Sequence, residues 1–308
     1  MLVEICLPFP YEDDAMIVFL NGSYLDADDA KVSVFDGGFL FGDGLFESFR
    51  LYAGQAFDLE GHLTRLNREL ELLGFSWQAE VEQIGQILHE LVTRNNREGE
   101  DSRGRLVVSR GVLAAERPTL PELQAVVPTV CLSLAALPAD LAKLQNEGIH
   151  AAVMKPAFAR GNFPQLKTLN YLASQMALRF AATSNCQEAI LVDRQGLVLE
   201  GATSNVFLAK DGRLLTPPVR LGILAGRTRA VVMDAAHSLG YTCEEAASNR
   251  RDLATADEVF VTSSVREILP VIKIDNSLVG EGQPGPITRA IQAKYRQVVE
   301  ETLAATTD

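Results

Sequence analysis

Cysteine is scarce and scattered. Cys6, Cys131, Cys186 and Cys243 lie far apart in a chain of 308 residues, and none belongs to a C-x-x-C pair. That spacing excludes a disulfide framework and fits reduced thiols in a cytoplasm. The 4 histidines are equally dispersed, so no metal site built on histidine is expected. Basic residues are in deficit: 28 Lys and Arg stand against 40 Asp and Glu, a net charge of −12. Neither nucleic acid nor an anionic membrane is an expected partner of such a surface. No apolar run approaches the ~18 residues of a membrane span. The start MLVEICLPFPYEDD lacks the cationic head of a secretory signal. What remains is 47% apolar, enough for one sizeable core or for two joined domains. The composition predicts a soluble, acidic, cytoplasmic α/β protein.

The pattern along the chain predicts a small α/β domain over 1–137, a polar linker at 138–148 and a larger domain over 149–308. MIVFL (16–20) reads as a strand, followed by an Asn21-Gly22 hairpin turn. LFESFRLYAGQAF reads as two strands joined at Ala53-Gly54. Leu59, Leu63, Leu66, Leu70 and Leu73 form one helical stripe that Gly74 ends, and a second helix is expected from Val81 to Thr93. GRLVVSRG and TVCLSLAAL are the next strands. PADLAKLQNEG, which starts at a proline, marks the boundary. Beyond it come a strand, a helix, strands at 188–193, 197–199 and 205–209, a helix over 227–239 and the strand DEVFVTS.

Five pieces carry chemistry. In GNFPQLKTLNYLASQMALRF, Lys167 precedes an apparent buried face of Leu169, Leu172, Ala173, Met176, Ala177 and Phe180. Lysines near helix starts are usually solvated, but a desolvated one has a lowered pKa and can attack an aldehyde near neutral pH. In VLEGATSNVF, Glu200 ends an apolar strand, where a carboxylate is costly without a cationic partner. In GILAGRTRAVVMDAAHSLG, Gly226, Arg227 and Thr228 open a helix whose free N–H groups could hold an anion. In FVTSSVREILPV, the hydroxyls of Thr262, Ser263 and Ser264 could complete a phosphate cup. In EGHLTRLNREL, Arg65 lies off the leucine stripe, one turn after His62, and offers a guanidinium fork.

Together these are the needs of pyridoxal 5′-phosphate: an amine for its aldehyde, an acid for its ring nitrogen and donors for its phosphate. At this point the motifs FLFGDGLFESFR, HLTRL, LKTLNYL, LEGATSNVF, GILAGRTR and VTSSVREILPV resemble the class IV (fold-type IV) pyridoxal-phosphate enzymes. That family holds D-amino-acid and branched-chain aminotransferases and 4-amino-4-deoxychorismate lyase. The resemblance spans nearly the whole chain. It implies a small α/β domain and a larger pseudo-barrel domain, in a homodimer. It implies that Lys167 is the covalent and proton-moving lysine and that Glu200 faces the ring nitrogen. Arg65, Gly226, Arg227, Thr228, Ser263 and Ser264 would hold the phosphate, Leu224 would lie against the ring, and Ser204 and Asn205 would complete the cofactor site. Phe39 and Arg117 would meet the substrate.

Within the family, KTLN resembles the D-amino-acid and lyase branch, whereas FVTSSVREILPVIKID resembles an aminotransferase ending. The carboxylate trap departs from the pattern. Phe39 stands where tyrosine is usual, and Ala115 and Arg117 occupy the arginine and histidine positions. The expected activity is amino transfer between an amino acid and a 2-oxo acid. Pyruvate elimination by a lyase is one alternative. A pyridoxal-phosphate binding protein without turnover is the other, though mere binding has no need of both Lys167 and Glu200.

Overall fold

In the computed structural model, which describes residues 16–114, 119–154 and 166–305, the chain forms two units. One comprises residues up to Leu59 together with Leu66–Ala136; the other comprises Glu60–Arg65 and Leu137 onward.

Period-two alternation builds the first unit. Its strands are β1 (Ile17–Leu20), β2 (Ser23–Asp26), β3 (Gly44–Tyr52), β4 (Gln55–Ala56), β5 (Ser102–Ser109) and β6 (Thr129–Ala136). They lie in the order β2-β1-β6-β5-β3-β4, and every pairing is antiparallel. Both expected hairpins form. Asn21 and Gly22 have φ of 49° and 90°, and Ala53 and Gly54 have 47° and 85°. Two successive positive φ values give the turn whose twist matches paired strands. The helices are α1 (Gly37–Phe41), α2 (Leu59–Leu72), of which Glu60–Arg65 belongs to the second unit, α3 (Val81–Arg94) and α4 (Leu120–Ala125). Leu63, Leu66 and Leu70 of α2 are buried, as are Ile84, Ile87, Leu88, Leu91 and Val92 of α3, which packs on β1 and β6.

The second unit begins with α5 (Leu141–Glu147), β7 (Ile149–Met154), α6 (Leu172–Thr183), β8 (Glu188–Val192), β9 (Val198–Gly201), β10 (Asn205–Lys210) and β11 (Arg213–Thr216). It continues through α7 (Arg227–Ser238), β12 (Thr242–Glu245), α8 (Arg250–Ala254), β13 (Glu258–Ser263), β14 (Glu267–Ile274), β15 (Ser277–Leu278) and α9 (Pro286–Ala305). The main sheet runs β12-β11-β10-β13-β14-β7-β8-β9. Strands β7 and β8 pair in parallel and are almost wholly apolar and buried, as parallel strands covered on both faces must be.

The sheet must curl. β9 and β10 lie five strand positions apart, about 24 Å in a flat sheet. Only residues 202–204 join them, and Gly201 N–H donates to Ser204 C=O at 2.7 Å. A link that short spans at most about 14 Å, so the edge strand folds back toward the middle of the sheet. This is the pseudo-barrel.

Three segments differ from the sequence expectation. The buried face of α6 is Ser174, Ala177 and Ala181, whereas Leu172, Met176 and Phe180 are 67%, 38% and 40% exposed. The small stripe lets α6 lie close on β7 and β8 beside Met154, Ala189, Leu191 and Ala202, which turns the bulky stripe outward. The expected linker carries α5, whose Leu141 is buried in the second unit's core. The long α9 gives no sequence signal, because its inner face mixes Thr288, Ile291, Gln292, Tyr295 and Val299. A carboxylate distant in sequence starts it: Glu258 accepts from the N–H groups of Ile287 and Thr288 at 2.9 and 2.7 Å.

Cys131, Cys186 and Cys243 are free thiols, and burial pushes Cys243 up to about 11. No helix among the described residues is long and apolar enough to cross a membrane.

The α6 geometry is testable by urea unfolding. Ala177→Leu forces bulk into the close helix–sheet contact and is expected to cost about 1–3 kcal/mol. Met176→Leu, on the outward stripe, should change stability by less than about 0.5 kcal/mol.

Candidate active site

Two loops and a helix start meet around Leu224. Glu200 stands one residue before the end of β9 and Asn205 opens β10, both buried, because the tight 202–204 turn folds them inward. The Leu224 N–H donates to Glu200 Oε2 at 3.1 Å, and Asn205 Nδ2 donates to the Leu224 carbonyl at 2.9 Å. Both ends of this residue's backbone are thereby fixed. Gly226 precedes α7, and a Cβ there would lie 2.0 Å from Asn205 Oδ1, so any side chain would push the Asn205 amide away. Gly226 is the N-cap of α7 and brings no side chain of its own to that helix start, whose first-turn N–H groups are the ones without an intrahelical acceptor.

From the other side, buried Arg65 donates through Nη1 to the Ala225 carbonyl at 2.8 Å. Its Nη2 lies 3.5 Å from His62 Nδ1, and His62 Nε2 lies 3.2 Å from Ser264 Oγ. The result is a continuous chain from Ser264 through His62 and Arg65 to the Ala225 carbonyl, next to the backbone that Glu200 and Asn205 grip. Arg65, Glu200, Asn205, Leu224, Gly226 and Ser264 are thus brought together within the second unit.

A second network braces the same loops. Glu188, at the head of β8, has no exposed surface. Its Oε1 accepts from Ala189 N–H and Ala202 N–H, both at 3.0 Å, and its Oε2 accepts from Ser204 Oγ at 2.9 Å and Arg266 Nη2 at 2.5 Å. Arg266 also donates to Thr203 Oγ1 at 2.9 Å, and its own N–H reaches Ser263 Oγ at 3.4 Å. One buried carboxylate therefore links the turn after Glu200 to the turn after β13.

Comparison with known proteins gives this arrangement a family. The profile described as "Amino-transferase class IV" matches residues 44–274. The chain belongs to the class IV aminotransferases. It is 37% identical over 286 residues to a Methanocaldococcus jannaschii protein with the provisional name branched-chain-amino-acid aminotransferase, covering 92% of this chain and 96% of that one. It is 34% identical to a D-alanine aminotransferase of Staphylococcus haemolyticus, over 92% and 98% of the two chains. It is 33% identical to an aminodeoxychorismate lyase of Bacillus subtilis, over 93% and 96%. Among solved structures, the branched-chain amino acid aminotransferase of Escherichia coli superposes with a TM-score of 0.85 at 29% identity, over 93% of this chain and 95% of that one. The fold is fold-type IV, and the enzymes of this class depend on pyridoxal phosphate for amino transfer.

The other sequence candidates of this class IV aminotransferase fall as follows. Lys167 is half-buried on the segment entering α6. Arg227 and buried Thr228 form the first turn of α7. Ser204 is buried against Glu188, and Ser263 helps to shape its own turn. Thr262 is buried, and among the described residues its hydroxyl has no partner, so it is not one of the linked donors. Phe39 lies on α1 in the first unit, 73% exposed. Arg117 lies outside the described residues. Sequence reasoning passed over His62, Glu188 and Arg266 as site residues. The signals were there: His62 sits one helical turn from Arg65, and Glu188 is a lone charge heading the apolar run EAILV.

Arg266→Ala would leave the Glu188 charge buried without its cation, which costs about 3–5 kcal/mol. Chemical denaturation should register that loss. The paired change Glu188→Gln with Arg266→Ala should recover part of it, since the uncompensated charge is gone.

Proposed function

We propose that the second unit holds pyridoxal phosphate around the Leu224–Gly226 turn and that the chain moves an amino group between an amino acid and a 2-oxo acid. The observation that carries this reading is the double grip on that turn, by Glu200 and Asn205 from one side and by Arg65 from the other. The donor set fits the cofactor. A buried acid lies at one end, and at the other stand a guanidinium, a serine hydroxyl and the first turn of α7, the complement of a cationic ring nitrogen and an anionic phosphate. Arg65, the backbone at Gly226, Arg227 and Thr228, and the hydroxyls of Ser263 and Ser264 would take the phosphate. Ser204 and Asn205 would fix the wall beside Glu200, and Leu224 would lie against the ring. The bound cofactor supplies an aldehyde to receive the amino group and an electron-withdrawing ring. Lys167 would remove the proton from the substrate Cα and carry it through the transfer. Glu200 would keep a negative charge opposite the ring nitrogen. Phe39 and Arg117 would meet the substrate, Phe39 without a hydroxyl to offer its carboxylate.

We infer further that the protein is a cytoplasmic homodimer. Val34, Phe35, Phe39, Phe41 and Val127 are each more than half exposed, too much apolar surface to leave in water. Phe35→Glu should therefore convert the dimer to a monomer in sedimentation velocity. A monomeric wild type would refute this part.

The chemistry has its own tests. Borohydride should trap the cofactor on Lys167, and Lys167→Ala should lose turnover by several orders of magnitude. Mapping of the label to another lysine would overturn the assignment. Glu200→Gln should keep the fold and bind cofactor yet transfer slowly; a half-reaction rate within about twofold of wild type would make Glu200 a plain strand end. An amino donor alone should move the cofactor band to shorter wavelength, and pyruvate or 2-oxoglutarate should restore it. D-alanine, D-glutamate, L-leucine and L-glutamate are the donors to try. Release of pyruvate and 4-aminobenzoate from 4-amino-4-deoxychorismate, with no band shift from any amino acid, would establish the lyase instead. A bound cofactor with neither reaction would mark a binding protein.

A further inference from the structure

Among the groups in the cup, His62 has no role in the reading above, yet it touches two that do. It is 2% exposed and sits one helical turn before Arg65 on α2. Its Nδ1 faces Arg65 Nη2 at 3.5 Å, and its Nε2 faces Ser264 Oγ at 3.2 Å. A guanidinium can only donate, so Nδ1 must accept. A ring that accepts at Nδ1 carries its hydrogen on Nε2 and donates there. Ser264 Oγ is then an acceptor from His62, and its own hydrogen must point elsewhere. Among the described residues that hydroxyl has no other partner.

On the reading that this cup holds phosphate, we propose that His62 is a positioning residue. It locks the Arg65 fork and turns the Ser264 hydroxyl hydrogen outward, so that both donors face the phosphate before it arrives. The imidazole itself does not touch the ligand. Its contribution is preorganisation, and a buried ring bonded at both nitrogens is suited to that work. Without it, the Ser264 hydrogen has no fixed direction, and Arg65 loses the His62 contact at its second terminal nitrogen.

The test separates positioning from packing by removing the phosphate from the ligand. Pyridoxal phosphate and pyridoxal are titrated into apoenzyme of the wild type, His62→Ala, His62→Gln, Ser264→Ala and His62→Ala combined with Ser264→Ala. His62→Ala should weaken pyridoxal phosphate by about ten- to a hundredfold, the worth of one charge-assisted hydrogen bond. Its affinity for pyridoxal should stay within about twofold of wild type. His62→Gln, whose amide can still donate near the Nε2 position, should recover much of the loss, and it serves alone if the alanine variant does not fold. Adding Ser264→Ala to His62→Ala should cost far less than Ser264→Ala costs by itself, because the two act on one hydrogen bond. The phosphorus resonance of the bound ligand should shift in His62→Ala. Equal weakening of both ligands would reduce His62 to a packing residue, and no weakening of either would remove it from the site. Failure of the wild type to prefer pyridoxal phosphate over pyridoxal would overturn the phosphate cup itself, a result distinct from any behaviour of the variants.

Discussion

Everything in the site depends on holding one stretch of backbone still. The Leu224 N–H is fixed by Glu200 and its carbonyl by Asn205, while the next carbonyl, that of Ala225, is held by Arg65. Peptide groups so constrained cannot rotate, and the N–H groups that follow at the start of α7 inherit their direction. A helix start is a good anion site only when its donors point at one place. Here three side chains from two distant parts of the chain fix that direction, and Gly226 makes the close approach of Asn205 possible.

The curl of the sheet is what brings those side chains near one another. Glu200 and Asn205 are five residues apart, but their strands would be far apart in a flat sheet. The three-residue turn between them forces the closure, and Gly201 takes part because a Cβ there would lie 2.0 Å from Ser204 Oγ. The turn is in turn pinned by the Glu188 carboxylate. The site is therefore a product of strand connectivity as much as of residue identity.

Much of this was legible in the chain. Asn21-Gly22 gave a hairpin because both residues tolerate positive φ, Ala53-Gly54 gave one with its glycine while Ala53 takes a φ that alanine rarely adopts, and the leucine stripe of α2 faced inward as its period required. The extent of α7 matched within a residue. The orientation of α6 was not legible, since two stripes compete on that helix. Bulk favours Leu172, Met176 and Phe180 as the inner face, but the distance to the sheet admits only Ser174, Ala177 and Ala181. Period alone cannot reveal that distance. α9 was missed for a related reason: its cap comes from Glu258, and half of its inner face is polar. In the candidate site, Lys167, Glu200 and Arg65 could be singled out by charge and setting, whereas His62, Glu188 and Arg266 contact other side chains and carry no motif of their own.

The Glu188–Arg266 pair shows why such residues resist reading from sequence. Burying a carboxylate is costly, and an apolar residue of the same size would often serve stability as well. The arrangement makes sense as a brace. An apolar side chain at 188 could fill the space, but it could not accept from Ala202 N–H, Ser204 Oγ and Arg266 at once. Those three bonds set the height of the turn after Glu200 against the turn that carries Ser263 and Ser264. The first turn bears the acid proposed for the ring nitrogen, and the second bears hydroxyls proposed for the phosphate. A rigid heteroaromatic phosphate has a fixed length between those groups, so a fixed separation between the two turns matters more than the stability lost in burying the charge.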